Sequence, residues 1–126
     1  MPILKLKQMV GLYAISRLGP AAAVPDWMFG QGVSSFSRGS DELTLVCLQE
    51  LVPEDVVADR DWACFEVAGP FALGETGIVL SLLRPLSEND IGIFLVPTFS
   101  GDYLFIKAHD VARGKRHLLA AGHVLL

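Results

Sequence analysis

The sequence WACFEVAGPFALGETGIVLSLLRP at residues 62–85 decides the fold, because it places a strand pattern directly before a helix pattern. Residues 62–68 read as a strand that ends at a Gly-Pro pair, a strong signal for a turn. Residues 76–88 then show helical spacing, with one apolar face formed by Ile78, Val79, Leu82, Leu83 and Leu86. Pro85 has no amide hydrogen, so a kink or break is expected there.

The remaining C-terminal sequence continues this alternation. Residues 91–96 are apolar on both faces, which predicts a central strand, and a turn at residues 98–102 leads into a returning strand. Asp110 can begin a second helix that Gly122 ends, before a short last strand. The order strand, helix, strand, strand, helix, strand is that of a ferredoxin-like βαββαβ unit, an antiparallel sheet with both helices on one face.

The N-terminal sequence repeats this pattern in a shorter form. Residues 11–18 form a strand pattern that also ends at Gly-Pro, and residues 33–48 read as a hairpin. Only one helical turn fits between them. The sequence therefore predicts an α+β protein with two ferredoxin-like units, an abbreviated one at residues 1–60 and a full one at residues 61–126.

Composition excludes several classes of protein. The chain has 126 residues, 52% of them hydrophobic, and a net charge of -4, which argues against intrinsic disorder and against binding to nucleic acid. No run approaches the ~20 apolar residues of a membrane span. The N-terminus has no uninterrupted apolar signal sequence, and Cys47 and Cys64 are expected to be free buried thiols, so we expect a cytoplasmic protein. The apolar excess predicts a large buried interface, as in a homodimer.

Catalytic and metal-binding motifs are missing from the sequence. It contains no G-x-S-x-G, H-E-x-x-H or P-loop motif, and the three histidines lack ligand spacing. We therefore expect no catalytic residue, metal site or cofactor, and a protein that is not an enzyme.

One cluster indicates a binding site. Glu75, Thr76, Gly77 and Ile78 lie where the first strand leads into the helix, and unpaired amides at a helix N-terminus suit a carboxylate. The turn at residues 98–102 could bring Asp102 and backbone carbonyls close, which suits an ammonium group. An α-amino acid carries both charges. A purely structural role, with Gly77 for close packing and Asp102 as a turn former, is the alternative.

These residues also carry a family resemblance. The run from Trp62 to Ile78, together with Pro85-Leu86, Thr98-Phe99 and Asp102-Tyr103, resembles small prokaryotic ACT-domain proteins. The N-terminal Tyr13-Ala14-Ile15 and residues 41–47 resemble the first half of the same group. The group is similar to the ACT modules of aspartate kinases and of the CASTOR arginine sensors.

The resemblance implies tandem ACT units that bind amino acids and regulate without catalysing, often as dimers. It implies ligand contacts at Glu75, Thr76, Gly77, Ile78, Thr98, Phe99 and Asp102, with Asp102 on the charged nitrogen of the ligand and the Gly77–Ile78 backbone on its carboxylate. The chain departs from the family pattern at Pro97, which has no amide donor, and at Gly101, which has no hydroxyl. The alternative function is a protein–protein interaction module of ACT fold that has lost ligand binding.

Overall fold

The protein has an α+β fold, as the sequence predicts. The structure, a computed structural model, describes residues 2–68 and 76–126. Within them lie β1 (Lys5–Leu18), β2 (Ser35–Arg38), β3 (Leu43–Leu48), β4 (Ala58–Val67), α1 (Ile78–Ser87), β5 (Ile93–Pro97), β6 (Asp102–Lys107), α2 (Val111–Ala120) and β7 (Val124–Leu125). Three single 3-10 turns connect them, at Asp26–Met28, Gln49–Leu51 and Ala108–Asp110.

The chain divides into two compact units, and the first nine residues belong with the C-terminal one. The C-terminal unit comprises residues 1–9 and 63–126, and the N-terminal unit comprises residues 10–62. The division predicted from sequence, after residue 60, differs because it places the N-terminal segment in the first unit. Leu4 and Leu6 are buried and alternate with exposed Lys5 and Lys7, the pattern of a half-buried strand.

In the C-terminal unit the sheet order is β7, β1, β4, β6, β5. The start of β1 thus lies between β7 and β4. The sequence predicts instead a sheet of four strands that all come from residues 62–126. β7 runs parallel to β1, with Lys5 opposite Val124, and the amide of Ala68 donates to the carbonyl of Lys5 at 2.8 Å. The predicted unit is therefore completed by a strand from the chain's N-terminus.

The strand β5 lies at the end of this order, so its predicted central position is wrong. It pairs with β6 in an antiparallel hairpin, with Ile93 opposite Ile106. Its apolar residues are only half-buried. Pro97 ends the strand, and an edge tolerates proline because no ladder bond is lost there.

Helix α1 passes through Pro85 without the expected break and continues to Ser87. A proline in a helix leaves the carbonyl four residues earlier without its usual donor, which here is that of Ser81. The Nε2 atom of His123 lies 2.8 Å from that carbonyl oxygen and donates to it. The Nδ1 atom of His123 accepts the amide of Leu4 at 3.0 Å. His123 therefore replaces the lost helical bond and links α1 to Leu4, the residue that precedes β1.

In the N-terminal unit the sheet order is β2, β3, β1, β4. β1 pairs antiparallel with β3, with Ser16 opposite Leu45 and Arg17 opposite Thr44. The core of this unit contains Ala14, Met28, Leu43, Leu45, Cys47 and Val52. The 3-10 turn at Asp26–Met28 supplies Met28 where the sequence predicts a single helical turn.

Neither helix within residues 2–68 and 76–126 has the length and apolar character needed to cross a membrane.

Candidate ligand site

A cavity of about 350 Å³ lies in the C-terminal unit, where the β5–β6 turn meets the end of β4. We call it the Asp102 cavity. Among the described residues it is lined by Glu66, Val67, Ala68, Thr98, Ser100, Gly101, Asp102 and Tyr103.

The turn holds its own shape through hydrogen bonds. The amide of Thr98 donates to the carbonyl of Gly101 at 2.8 Å, and its hydroxyl is 2.9 Å from the same oxygen and 3.0 Å from the Gly101 amide. Asp102 is paired with Pro97 across the hairpin and begins β6. The hairpin therefore places the Asp102 carboxyl at a defined position beside β4.

The charged groups that line the Asp102 cavity are acidic. Glu66 reaches it from β4, and the hydroxyl of Tyr103 donates to Glu66 Oε2 at 3.4 Å. Burial raises the pKa of Asp102 above its ordinary value, because a carboxylate loses hydration there. No Lys or Arg is among the described residues that line this cavity. Such a cavity attracts a cationic group, such as an ammonium ion.

The structure brings together only part of the predicted site. Thr98 and Asp102 line the cavity, whereas Phe99 is 83% exposed and is not among the described lining residues. Thr76, Gly77 and Ile78 lie at the start of α1 and are not among the lining residues. Glu75 lies outside the described residues.

The start of α1 has its own features. Gly77 has φ +85°, a conformation that favours glycine, and no side chain caps the helix. The first backbone amides of α1 have no acceptor within the helix, as at any helix N-terminus. The predicted carboxylate-binding site requires such unpaired amides. The Ile78 side chain is buried, so only its backbone can face a ligand. Pro2 closes one side, since a Cβ added at Gly77 would lie 3.6 Å from it.

The sequence-based site missed Glu66 and Tyr103. Glu66 is the single charged residue in the otherwise apolar run 63–68, and that position was the available signal. Its link to Tyr103 joins β4 to β6, a pairing between residues 37 positions apart. Sequence spacing does not show which strands become neighbours.

Metal binding has no support in the described residues. No group of three or more His, Cys, Asp or Glu side chains in residues 2–68 and 76–126 could hold a metal ion.

Comparisons with known proteins match both parts of the chain. A family model of the ACT domain matches residues 57–114, and a model of an N-terminal domain matches residues 11–55. The chain is an ACT-domain protein. A solved structure of a protein from Agobacterium tumefaciens is 48% identical, covers 100% of this chain and 94% of its own, and has a TM-score of 0.95. This ACT-domain protein therefore belongs to the same family as that protein.

More distant structures share the fold. The regulatory subunit of aspartate kinase from Thermus thermophilus, in its ligand-free form, is 11% identical with a TM-score of 0.63, covering 93% of this chain and 97% of its own. A Vibrio cholerae protein described as of unknown function and a possible transport protein is 16% identical with a TM-score of 0.76. The match covers 94% of this chain and 89% of the Vibrio cholerae protein. A search of curated protein sequences found no match.

Proposed function

We propose that this ACT-domain protein is a non-enzymatic regulatory protein that binds a small amino acid. The observation that carries the proposal is the Asp102 cavity, in which Asp102 and Glu66 supply negative charge without a neighbouring cation among its described lining. The fold shared with the aspartate kinase regulatory subunit supports a regulatory role.

The ligand's ammonium group is placed in the Asp102 cavity, with Thr98 and the Gly101 carbonyl beside it. Its carboxylate is placed at the uncapped start of α1, where Thr76, Gly77 and Ile78 offer backbone amides. Glu75 and Phe99 complete the proposed contacts. The cytoplasm is the proposed location, supported by the two free buried cysteines.

A thermal-shift panel of the twenty protein amino acids tests the proposal. A ligand at about 100 times its Kd adds roughly 2.7 kcal/mol of stability. For a chain of this size that raises the melting temperature by on the order of 10 °C. Asp102→Asn and Glu66→Gln should each reduce the shift, while Asp26→Asn, on an exposed turn of the N-terminal unit, should leave it unchanged.

Absence of a shift with every amino acid at millimolar concentration would contradict the proposal. An unchanged shift in Asp102→Asn would place the ligand elsewhere in the protein.

The second candidate is an interaction module of ACT fold without a ligand. Half-buried apolar residues along the edge strand β5 and the exposed Phe99 after it favour this function. The same surface supports a homodimer, which either function allows. Stabilisation by an amino acid separates the two candidates, because the interaction module gains none.

A further inference from the structure

His123 is a buried ionisable residue that the proposed ligand site does not use. Its side chain is 4% exposed and bonds to the backbone on both sides. The amide of Leu4 donates to Nδ1 at 3.0 Å, and Nε2 donates to the carbonyl of Ser81 at 2.8 Å. Histidine is the side chain that most readily gains or loses a proton near neutral pH, so the protonation state of this ring decides whether both bonds can form.

The two backbone bonds require a neutral ring with its proton on Nε2. The Leu4 amide can only donate, so Nδ1 must accept and carries no proton. The Ser81 carbonyl can only accept, so Nε2 must carry the proton. A charged imidazolium has a hydrogen on both nitrogens, and its Nδ1–H would face the N–H of Leu4. Protonation of His123 therefore removes the acceptor of a backbone amide in a buried residue.

A side chain of α1 holds the same N-terminal segment. The hydroxyl of Ser81, which is 5% exposed, donates to the carbonyl of Pro2. The ring of Pro2 lies beside Gly77, since a Cβ added at Gly77 would be 3.6 Å from Pro2 Cδ. The segment at residues 2–4 is therefore fixed at the start of α1, next to the backbone amides to which the proposed function assigns the carboxylate of the ligand.

The sheet holds β1 without the help of His123. The amide of Ala68 donates to the carbonyl of Lys5 at 2.8 Å, and Lys5 is paired with Val124 of β7. Neither contact involves the imidazole. Loss of the bond between Leu4 and His123 is therefore expected to detach the segment before β1 and to leave the strand in the sheet.

The charged groups around His123 are few. A cavity of about 180 Å³ lies beside it, and α1 contributes Arg84 and Glu88 to the described lining. Arg84 Nε lies 3.3 Å from Glu88 Oε1, so their charges offset each other. His117 in the last turn of α2 is not among the described lining residues, Lys5 of β1 is exposed, and β7 has no charged residue. A cavity of this size holds several water molecules, each of about 30 Å³, which can carry a proton to the ring.

We propose that His123 is an acid-sensitive latch for the N-terminal segment. The neutral ring holds residues 2–4 on α1, and a proton taken from water at Nδ1 breaks the Leu4 bond and releases them. The proton returns to water when the pH rises, so the latch closes again. Release moves Pro2 away from Gly77 and changes the carboxylate side of the candidate ligand site; this consequence alone rests on the proposed function.

Histidine titration and amide hydrogen exchange, both followed by NMR in the ligand-free protein, test the latch. The 13C-labelled ring reports the protonation of His123 between about pH 8 and about pH 5, the range in which histidines titrate. The protection factor of the Leu4 amide should fall roughly tenfold as the ring is protonated, since about one buried hydrogen bond is lost. The protection factor of the Ala68 amide should not change, because its acceptor lies in the sheet.

Replacement by glutamine separates the latch from other effects of pH. In His123→Gln the side-chain amide keeps a donor and an acceptor but takes up no proton in this range, so Leu4 protection should not depend on pH. His109→Gln, at an exposed histidine, and His117→Gln are the matched controls and should keep the wild-type response. If glutamine does not hold the segment at any pH, the comparison of ring protonation with Leu4 protection in the wild type decides.

Three results would overturn the latch. The His123 ring stays neutral down to about pH 5, or it is protonated while the Leu4 amide keeps its protection, or His123→Gln shows the wild-type pH response. No ligand enters these measurements. The latch can therefore fail while the amino-acid proposal stands, and a panel of amino acids that all fail to bind leaves the latch intact.

Discussion

At the scale of single residues, two buried serines differ in whether they find a hydrogen-bond partner. Ser16 is 2% exposed, and its hydroxyl has no partner among the described residues. Ser81 is 5% exposed, and its hydroxyl donates to the carbonyl of Pro2. A buried hydroxyl without a partner costs free energy, whereas a paired one stabilises.

The same substitution should therefore have opposite effects at the two positions. Ser16→Ala should raise the free energy of unfolding by about 1 kcal/mol, and Ser81→Ala should lower it by about the same amount, because the Pro2 carbonyl loses its donor. Urea denaturation measures both. The exposed Ser34→Ala is the control and should change little. A loss of stability in Ser16→Ala would show that its hydroxyl has a partner after all.

Asp102 should make stability depend on pH. Because burial raises its pKa, its contribution to stability is present below the unfolded-state pKa of about 3.9 and is lost as the pH rises through the raised value. The free energy of unfolding of Asp102→Asn should consequently increase relative to that of the wild type as the pH rises. Urea denaturation between pH 3 and pH 7 measures the difference, with Asp26→Asn as the control for loss of one charge. If the stability of Asp102→Asn relative to the wild type fell with rising pH, the expected pH dependence would be wrong.

At the scale of elements, the two helices end in the same way with different residues. Each ends with the hydrogen-bond pattern of a Schellman motif. After α1, the amide of Ile91 donates to the carbonyl of Leu86 and the amide of Asp90 donates to the carbonyl of Ser87. After α2, the amide of His123 donates to the carbonyl of Leu118 and the amide of Gly122 donates to the carbonyl of Leu119. The residue with positive φ in this motif is Gly122, at φ +97°, after α2, but it is Asp90, at φ +57°, after α1. Glycine has no side chain to strain this conformation.

We expect Asp90→Gly to raise the free energy of unfolding by about 1 kcal/mol and Gly122→Asp to lower it by a similar amount. Thermal and urea denaturation of both variants check this. Equal stabilities for Asp90→Gly and the wild type would mean that the Asp90 side chain compensates for its backbone strain.

Helix α1 depends on His123 because of Pro85. In the Pro85→Ala variant the new amide can donate to the Ser81 carbonyl, the bond that His123 Nε2 now makes. His123→Leu should cost about 2–4 kcal/mol in the wild type, since it leaves two buried backbone groups unpaired. In the Pro85→Ala background it should cost about 1 kcal/mol less. A double-mutant cycle in urea measures this coupling, and additive effects would rule out the proposed compensation.

At the scale of the whole molecule, 52% of the residues are hydrophobic, and several large ones are exposed among the described residues. Phe99 is largely exposed and follows the half-buried apolar residues of β5. The outer edge of β5 has no partner strand among the described residues, and such edges pair readily with another chain. These features lead us to expect a homodimer that uses this edge.

Analytical ultracentrifugation at micromolar concentration should show a dimer. Leu95→Lys and Phe99→Lys should shift it toward monomer, because a charge at the interface opposes pairing. Val57→Lys changes an exposed apolar residue of the N-terminal unit and is the control. Circular dichroism confirms that each variant is folded. A wild-type monomer would exclude this account of the apolar content.

The amino-acid sequence by itself determined the elements and their order. Alternation, helical spacing and Gly-Pro stops are local signals, and they predicted the α+β class, both helices, the β5–β6 hairpin and the end of α2 at Gly122. The strand at residues 5–9 was missed, because its two buried leucines are few and the lysines beside them favour a surface segment.

Only the tertiary structure decided which strands are neighbours. It placed β1 between β7 and β4, moved β5 to an edge, and brought Glu66 to Asp102. It also supplied His123 to the carbonyl that Pro85 leaves without a donor. These contacts join residues distant in sequence, and their free energy depends on which segments pack together. The spacing of apolar and polar residues determines which face of its own strand a side chain occupies. Which residues of a neighbouring strand it contacts is decided only when the chain folds.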